Sequence, residues 1–294
     1  MLSILIPTYN YSVSPLILEL KSQADLLTLP YEIIVLDDSS SLFLAENQKI
    51  KELENCYYLK NETNIGRTAT RNLLAKKATF NNLLFLDADV FPEKKAFLSN
   101  YSKMVDKLEN TVIFGGYKYV TVIPEESKSL RYYYGKDREE KEASIRNKNP
   151  YGFVFSGNML ICKNIFLENN YKKSDNLYGL DNIFSHQLYT KNIKALHIDN
   201  GIFHNGLEEN EVFFTKSLES VTARKQILSN DKKGSEINSL LRYYSILKKI
   251  KLLFVAKILF KWSEKYMKNK IIAEKPNLFY FDLYRLGYIC SLEN

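Results

Sequence analysis

The stretch that decides the fold class is LLFLDAD, at residues 83–89. Its first four residues are apolar without interruption, as is the run IIVL at residues 33–36. Unbroken apolar runs of this length are typical of central strands in a parallel sheet that is covered on both faces. Through residues 1–100 such runs alternate with amphipathic stretches, which is the pattern of βα units. We therefore predict an α/β fold with a doubly wound, mostly parallel central sheet flanked by helices.

The same periodicity predicts further elements along the chain. Strands are expected at residues 2–6, 32–36, 56–59, 82–86, 112–114, 153–162 and 195–198. Helices are expected at residues 14–26, 42–54, 67–78, 93–108, 181–189 and 211–228, and the pattern is helical again from Ser239 onward. Residues 125–149 form a long charged stretch, which is typical of a mobile loop or lid.

Positive charge is concentrated in one segment. The chain has a net charge of +7, whereas residues 241–271 carry nine basic residues against Glu264 alone, a net charge of +8. The rest of the chain is nearly neutral, so we expect no nucleic-acid partner. The sequence contains no stretch typical of a secretion signal or a membrane-spanning helix. Its three cysteines lack the spacing of a disulfide framework or a zinc site, so a cytoplasmic location is expected.

Polar residues follow three of the predicted strands. PTYN at residues 7–10 follows the first, DDSS at residues 37–40 follows the second, and Asp87 and Asp89 follow the strand at residues 82–86. The carboxyl ends of parallel strands share one edge, where open α/β sheets bind ligands. Two carboxylates two residues apart on an extended backbone point to the same side and suit Mg²⁺ or Mn²⁺. The other interpretation is a turn whose aspartates cap a helix.

Four motifs, in this order, resemble the family 2 glycosyltransferases of the GT-A fold. They are SILIPTYN at residues 3–10, IVLDDSS at residues 34–40, NIG at residues 64–66 with TRN at residues 70–72, and FLDAD at residues 85–89. The resemblance covers roughly residues 1–215. It implies a GT-A catalytic domain over residues 1–230, followed by a basic helical extension over residues 231–294. No GxGxxG motif follows a strand, which argues against a dehydrogenase.

The resemblance implies a nucleotide-sugar donor and a role for each matching residue. Asp38, with Asp37, would hold the base or ribose by accepting hydrogen bonds. Arg71 would face the nucleotide, and Arg67, one turn earlier, could do the same; a structural ion pair is the other interpretation of Arg71. The implied nucleotide site comprises Pro7, Thr8, Asp37, Asp38, Arg71 and Asp87. The implied donor-sugar pocket contains Gly157, which permits close approach of a ligand, and Asn158.

The resemblance also implies a general base and a metal site. Asp181 aligns with the aspartate that takes the proton of the acceptor hydroxyl, and one base with in-line displacement inverts the anomeric carbon. Leu180 stands where the family has a glutamate, and a helix N-cap is the other interpretation of Asp181. His204 would join Asp87 and Asp89 as a ligand of Mn²⁺ or Mg²⁺, with packing as the alternative. His186 and His197 are expected to pack or lie at the surface.

The basic segment at residues 241–271 has helical spacing. Lys257, Lys261, Lys265 and Lys268 follow one another by four, four and three residues, which aligns them along one helical face. A basic amphipathic helix that also contains Trp262 is typical of peripheral membrane contact. The alternative is a helix that packs on the protein and leaves its lysines in water.

Together these features predict a metal-dependent, inverting glycosyltransferase that uses UDP as its nucleotide. Its acceptor would be a hydroxyl of a glycan or of a polyprenyl-linked acceptor in surface polysaccharide synthesis, at the inner face of the cell membrane. A nucleotidyltransferase is disfavoured because PTYN at residues 7–10 is not a glycine-rich basic loop. A non-catalytic, glycan-binding scaffold on the same fold stays open because of Leu180.

Overall fold

A computed structural model of the chain describes residues 1–172, 177–229 and 231–292. The chain forms two compact units, each built from several segments. The sheet unit comprises Met1–Lys118, Lys141–Asn176 and Lys191–Gly206, and the helical unit comprises Tyr119–Glu140, Leu177–Thr190 and Leu207–Asn294. Asn230, at the predicted boundary between residues 1–230 and 231–294, lies outside the described residues. That boundary stays a prediction.

The sheet unit holds two β-sheets. A seven-stranded sheet has the order β3-β2-β1-β4-β8-β6-β9, and a three-stranded sheet has the order β5-β10-β7. The strands are β1 (Leu2–Thr8), β2 (Tyr31–Asp37), β3 (Cys56–Lys60), β4 (Asn82–Leu86), β5 (Val90–Pro92), β6 (Thr111–Phe114), β7 (Tyr117–Lys118), β8 (Asn158–Cys162), β9 (Lys194–His197) and β10 (Ile202–His204).

The large sheet is parallel except at β8, which runs antiparallel to both β4 and β6. Ile4 of β1 pairs with Ile33 of β2 and with Leu84 of β4, and all three side chains are completely buried. The unbroken apolar runs therefore form central strands with both faces covered, as the sequence predicts. The prediction of an α/β fold with a mostly parallel sheet is confirmed.

The described residues contain helices that flank the large sheet or build the helical unit. They are α1 (Ser14–Ala24), α2 (Leu44–Gln48), α3 (Arg67–Lys77), α4 (Phe97–Ser102), α5 (Ser129–Tyr134), α6 (Ala143–Arg146), α7 (Lys163–Asn169), α8 (Asp181–Thr190), α9 (Asn210–Leu228), α10 (Lys232–Ile237), α11 (Ser239–Lys249), α12 (Leu253–Ile271) and α13 (Leu278–Ser291).

Several sequence-based expectations differ from the structure. Residues 93–108 do not form one helix: β5 pairs with β10 through Pro92, and only α4 and a short 3₁₀ turn follow. Residues 125–149, expected to be a mobile loop or lid, contain α5, a π-helical turn at Gly135–Glu139 and α6. Leu130 and Arg146 are both buried, so parts of this charged stretch belong to packed structure.

The helical unit has its own apolar core. Helices α5, α9, α12 and α13 contribute Leu130, Phe213, Phe214, Phe260, Met267, Ile271, Phe281 and Tyr284. Tyr284 packs edge-on against both Phe214 and Phe260, with ring centroids 4.9 Å apart in each pair. Aromatic pairs in this geometry add to the free energy gained by burial. Among the described helices, none is long and apolar enough to cross a bilayer.

Candidate functional site

The loops after β1 and β2 are tied to one another at the carboxyl edge of the sheet. The Asp38 amide donates to the Thr8 carbonyl across 2.8 Å. Asn10 has a left-handed backbone (φ 49°), and its side-chain oxygen accepts from the amides of Ser41 and Leu42. Both loops are thereby held at the edge where ligands bind in open α/β sheets. Pro7 and Thr8, predicted for the nucleoside pocket, are both buried in this region.

Asp37 and Asp38 are buried, and their carboxylates are hydrogen-bonded within the fold. Asp37 accepts from the Tyr58 hydroxyl at 2.5 Å and from the Ser40 amide at 2.6 Å. Asp38 accepts from the Gly66 amide at 2.8 Å, at the start of α3, and also from Asn61 and Ile65. These bonds position the loops on either side of the sheet edge. The predicted contact of the two aspartates with a base or ribose stays a prediction.

Asp87, at the end of β4, is held by two arginines of α3. Arg67 donates to Oδ2 at 2.6 Å, and Arg71 donates to Oδ1. The Arg71 side chain is 5% exposed and that of Arg67 is 47% exposed, so Arg71 forms the buried half of the pair. Burial alone would raise the pKa of Asp87, but Arg67, Arg71 and His204 together lower it to about 2. Asp87 is therefore a fixed anion at neutral pH.

Gly157 lies directly against Asp87. A Cβ at this glycine would sit 2.1 Å from Asp87 Oδ2, well inside van der Waals contact. The sequence suggests that this glycine leaves room for a ligand, whereas the room is taken here by the Asp87 carboxylate. Tyr117 completes the surroundings with its hydroxyl 3.4 Å from the same oxygen.

Asp89 has a different environment from Asp87. Strand β10 pairs with β5 so that His204 lies opposite Val90, the residue after Asp89. As a result, His204 Nε2 is 3.8 Å from Asp89 Oδ2. The Asn205 amide donates to the Asp89 carbonyl at 2.8 Å, and a Cβ at Gly206 would meet the Asp89 carboxylate. The structure thus brings together a partly exposed carboxylate and a histidine, which the sequence separates by more than one hundred residues.

The predicted metal ligands fit a divalent cation in part. Asp89 and His204 offer oxygen and nitrogen donors on one side of the edge, a suitable pair for Mn²⁺. Each Asp87 oxygen already accepts from an arginine, so its use as a ligand requires at least one arginine to move. The described residues contain no group of three or more His, Cys, Asp or Glu side chains placed to hold a metal ion. Two side chains, Asp89 and His204, thus suit a divalent cation, and other ligands must complete its coordination shell.

Asn158 is completely buried beside this edge. Its side-chain oxygen accepts from the Tyr101 hydroxyl at 2.6 Å, and its amide nitrogen donates to the carbonyls of Gly116 and Asn200. These bonds connect β8 to α4 and to the loops that follow β6 and β9. Its predicted place in the donor-sugar pocket stays a prediction, although its polar atoms already have partners in the fold.

Asp181 begins α8 and belongs to the helical unit, whereas Asp87 and Asp89 belong to the sheet unit. Gly179, just before it, has a left-handed backbone (φ 84°) and packs against Ser220 of α9. Leu180, at the position of the family's glutamate, is buried. The turn is therefore stabilised by packing, and a base role for Asp181 stays a prediction.

The other two histidines have the packing roles that the sequence suggests. His197 is buried, and its ring stacks on Phe114 and contacts Arg146. His186 is buried on α8 and lies 2.9 Å from Asp231. Tyr117 and Gly206 are neighbours of Asp87 and Asp89 that were not expected from the sequence. Gly206 had a local signal, since it comes two residues after His204 in the stretch FHNG at residues 203–206.

A sequence model described as Glycosyl transferase family 2 matches residues 3–168 of the chain. No curated protein matches it. Among solved structures, a mannosyltransferase from Pyrobaculum calidifontis in complex with GDP-Man and Mn²⁺ has a TM-score of 0.61 at 15% identity, over 99% of this chain and 85% of that one. S. aureus TarS has a TM-score of 0.53 at 19% identity, over 80% of this chain.

The chain spans 42% of the length of that TarS structure. A shorter TarS structure, residues 1–349 in complex with UDP-GlcNAc, has a TM-score of 0.50 at 18% identity and is covered over 70% of its length. At these identities the likeness concerns the fold.

Proposed function

The chain belongs to glycosyl transferase family 2, and on that premise we propose that it transfers one sugar from a nucleoside diphosphate, with UDP as the nucleotide, to an acceptor hydroxyl. The observation that carries the proposal is the acidic pair at the end of β4. Asp87 is fixed by Arg67 and Arg71, while Asp89 lies partly exposed beside His204. Similar folds have been crystallised with UDP-GlcNAc and with GDP-Man and Mn²⁺, which supports a nucleotide-sugar donor.

In this proposal the nucleotide binds along the loops that follow β1 and β2, at Pro7, Thr8, Asp37 and Asp38. The bonds from Asp38 to the start of α3 would hold that loop in one conformation before the nucleotide arrives, which reduces the entropy lost on binding. Arg71 keeps Asp87 ionised and in place. Arg67, whose side chain is half exposed, would meet the negative charge of the diphosphate.

Asp89 and His204 would hold a Mn²⁺ or Mg²⁺ ion, with phosphate oxygens and water as further ligands. A bound divalent ion would neutralise the charge that develops on the leaving diphosphate. Gly206 allows the backbone to approach Asp89 this closely, because a Cβ at this position would overlap the Asp89 carboxylate. Gly157, with Asn158 behind it, would border the donor sugar.

Asp181 would act as the general base in this proposal. Its carboxylate would accept the proton of the acceptor hydroxyl as that oxygen attacks the anomeric carbon. The bond between the sugar and the diphosphate breaks on the opposite side, so the configuration is inverted. Asp181 is the first residue of α8, so its carboxylate lies at the end of the helix where the dipole favours negative charge.

The acceptor is proposed to be a glycan, or a glycan carried on a polyprenyl lipid, in surface polysaccharide synthesis. Enzymes that act on such lipids work at a membrane surface, so we propose a cytoplasmic position at the inner face of the cell membrane. The basic segment at residues 241–271 supports this, since inner leaflets carry negative charge.

A donor screen tests the proposal. Release of UDP would be measured for a panel of UDP-sugars, with Mn²⁺ or with a chelator, in the wild type and in the variants Asp89→Asn and Asp181→Asn. We expect release that depends on Mn²⁺ and falls at least about 100-fold in either variant, while Asp181→Asn still binds the nucleotide sugar. Release that is unchanged by the chelator and by Asp89→Asn would refute the metal site. Undiminished turnover in Asp181→Asn would remove that residue from the mechanism.

A further inference from the structure

Helix α12 has two apolar faces, and only one of them packs inside the helical unit. Phe260, Met267 and Ile271 are buried on the packed face, which contacts α13. The opposite side carries an outer face of large exposed apolar residues: Phe254, Val255, Ile258, Leu259, Trp262 and Tyr266. Four of these, at positions 254, 258, 262 and 266, follow one another at intervals of four and therefore form one row along the helix.

The exposure of this outer face is large for apolar side chains. Trp262 is 80% exposed, Phe254 73% and Leu259 58%. Soluble proteins rarely leave a contiguous patch of this kind in water, and such patches mark surfaces that bind a partner or a membrane. The packing alternative suggested by the sequence describes one side of α12, and a different occupant is needed for the other side.

The charges beside the outer face of α12 indicate which kind of partner covers it. Lys257, Lys261 and Lys265 directly precede Ile258, Trp262 and Tyr266 in the sequence. They therefore form a lysine row about 100° around the helix from that apolar row, at the edge of the outer face. The one acidic residue of α12, Glu264, accepts a hydrogen bond from Tyr284 at 2.9 Å and so belongs to the packed side. The outer face with its lysine row therefore carries positive charge and no carboxylate.

We propose that the outer face of α12 docks the protein on a bilayer that contains anionic lipids. An apolar face bordered by lysines is what an interfacial helix presents to headgroups and acyl chains. The 19 residues of α12 give a length of about 28 Å, which would lie along the surface. A second copy of the chain is disfavoured as occupant, because its own lysine row would meet this one without a carboxylate between them.

This docking surface rests on the geometry of α12 alone, while its use in bringing a lipid-linked acceptor to the enzyme rests on the proposed function. Trp262 is the only tryptophan of the chain, so its fluorescence reports directly on the outer face. The full-length protein would be mixed with vesicles of phosphatidylcholine, with or without phosphatidylglycerol. We expect sedimentation with the anionic vesicles and a shift of the emission to shorter wavelength, both weakened by salt. No sedimentation and no shift at low salt would overturn the proposal.

Matched variants distinguish vesicle binding through the outer face from nonspecific adsorption of the protein. Ile258→Ser with Leu259→Ser removes apolar contact, and the control is Leu18→Ser with Leu26→Ser, which changes exposed leucines of the sheet unit. Replacing Lys257, Lys261 and Lys265 by Gln removes charge, and the control replaces Lys49, Lys103 and Lys107. We expect vesicle partitioning to fall roughly 100-fold for the three outer lysines and less than about twofold for each control. Equal losses in test and control variants would contradict a defined docking face.

Three further outcomes are informative. The wild type could fail to bind vesicles and instead form a dimer that the double variant Ile258→Ser with Leu259→Ser does not form. That result would overturn the proposal and show that a second copy covers the outer face. Vesicle binding without UDP release from any nucleotide sugar would refute the proposed function and leave the docking surface standing. Sugar transfer to a soluble acceptor with release of UDP, but without vesicle binding, would refute the docking surface only.

Discussion

Asp87 and Asp89 are two residues apart, yet the regions around them differ in almost every physical respect. Asp87 is buried between Arg67 and Arg71 and has a pKa of about 2. Asp89 is partly exposed, with His204 Nε2 3.8 Å from its Oδ2 and Gly206 beside it. The comparison indicates that the two aspartates divide the work: one organises the fold at the sheet edge, and the other remains accessible to a ligand.

The largest expected effect is on folding, from Asp87→Asn. The substitution leaves Arg71 buried without its carboxylate, which costs about 3–5 kcal/mol in the free energy of unfolding. Asp89→Asn is the matched control, and it should change that free energy by no more than about 0.5 kcal/mol because its side chain is partly exposed. Urea denaturation of both variants measures the difference. Equal destabilisation would show that the two aspartates do not differ as described.

Acid should reduce the difference in the free energy of unfolding between the wild type and Asp87→Asn. Since the folded pKa of Asp87 is about 2 and the ordinary value is 3.8, the folded protein binds fewer protons than the unfolded chain in this range. The stability from Asp87 is therefore complete above about pH 4 and is lost as the pH falls toward 2, by about 2 kcal/mol. Urea denaturation of both proteins from pH 5 to pH 2.5 measures this. A difference that stays constant with pH would contradict a depressed pKa.

The two arginines should be unequal partners of Asp87. Arg71→Gln removes the buried guanidinium and should cost about 2 kcal/mol, less than Asp87→Asn because Arg67 still neutralises the carboxylate. Arg67→Gln removes a half-exposed guanidinium and should cost about 0–1 kcal/mol. Thermal or urea denaturation measures the stability of both variants. A larger loss of stability in Arg67→Gln than in Arg71→Gln would show that Arg67 is the structural partner of Asp87.

Local patterns in the sequence determined much of the fold. The apolar runs at residues 33–36 and 83–86 become β2 and β4, and α3 begins at Arg67 as expected. The start of the expected helix at residues 93–108 is absent because pairing with β10, more than one hundred residues away, makes Val90–Pro92 a strand and continues to Glu93, whose amide donates to the Gly201 carbonyl. Periodicity within one segment carries no information about such a partner. The packing within residues 125–149 was likewise not predicted, because Arg146 is buried through hydrogen bonds to the distant carbonyls of Gly115 and Ile198.

The candidate site shows the same limit. The acidic pair, Asp87 and Asp89, can be chosen from the sequence because both follow a predicted strand, whereas Arg71 and His204 were implied by the resemblance to family 2 glycosyltransferases. Which aspartate each of them meets could not be predicted, because Arg71 and His204 approach from α3 and β10 along the folded chain. Gly157 was recognised as a close-approach position, but the group that approaches it is the Asp87 carboxylate.

The most direct test of the central claim is the affinity for Mn²⁺ in the presence of UDP, followed by the electron paramagnetic resonance signal of the free ion. We expect the wild type to bind Mn²⁺ in the presence of UDP, and we expect Asp89→Asn, although folded, to bind the ion at least about tenfold more weakly. Unchanged Mn²⁺ affinity in Asp89→Asn, or no uptake of Mn²⁺ by the wild type with UDP, would contradict it.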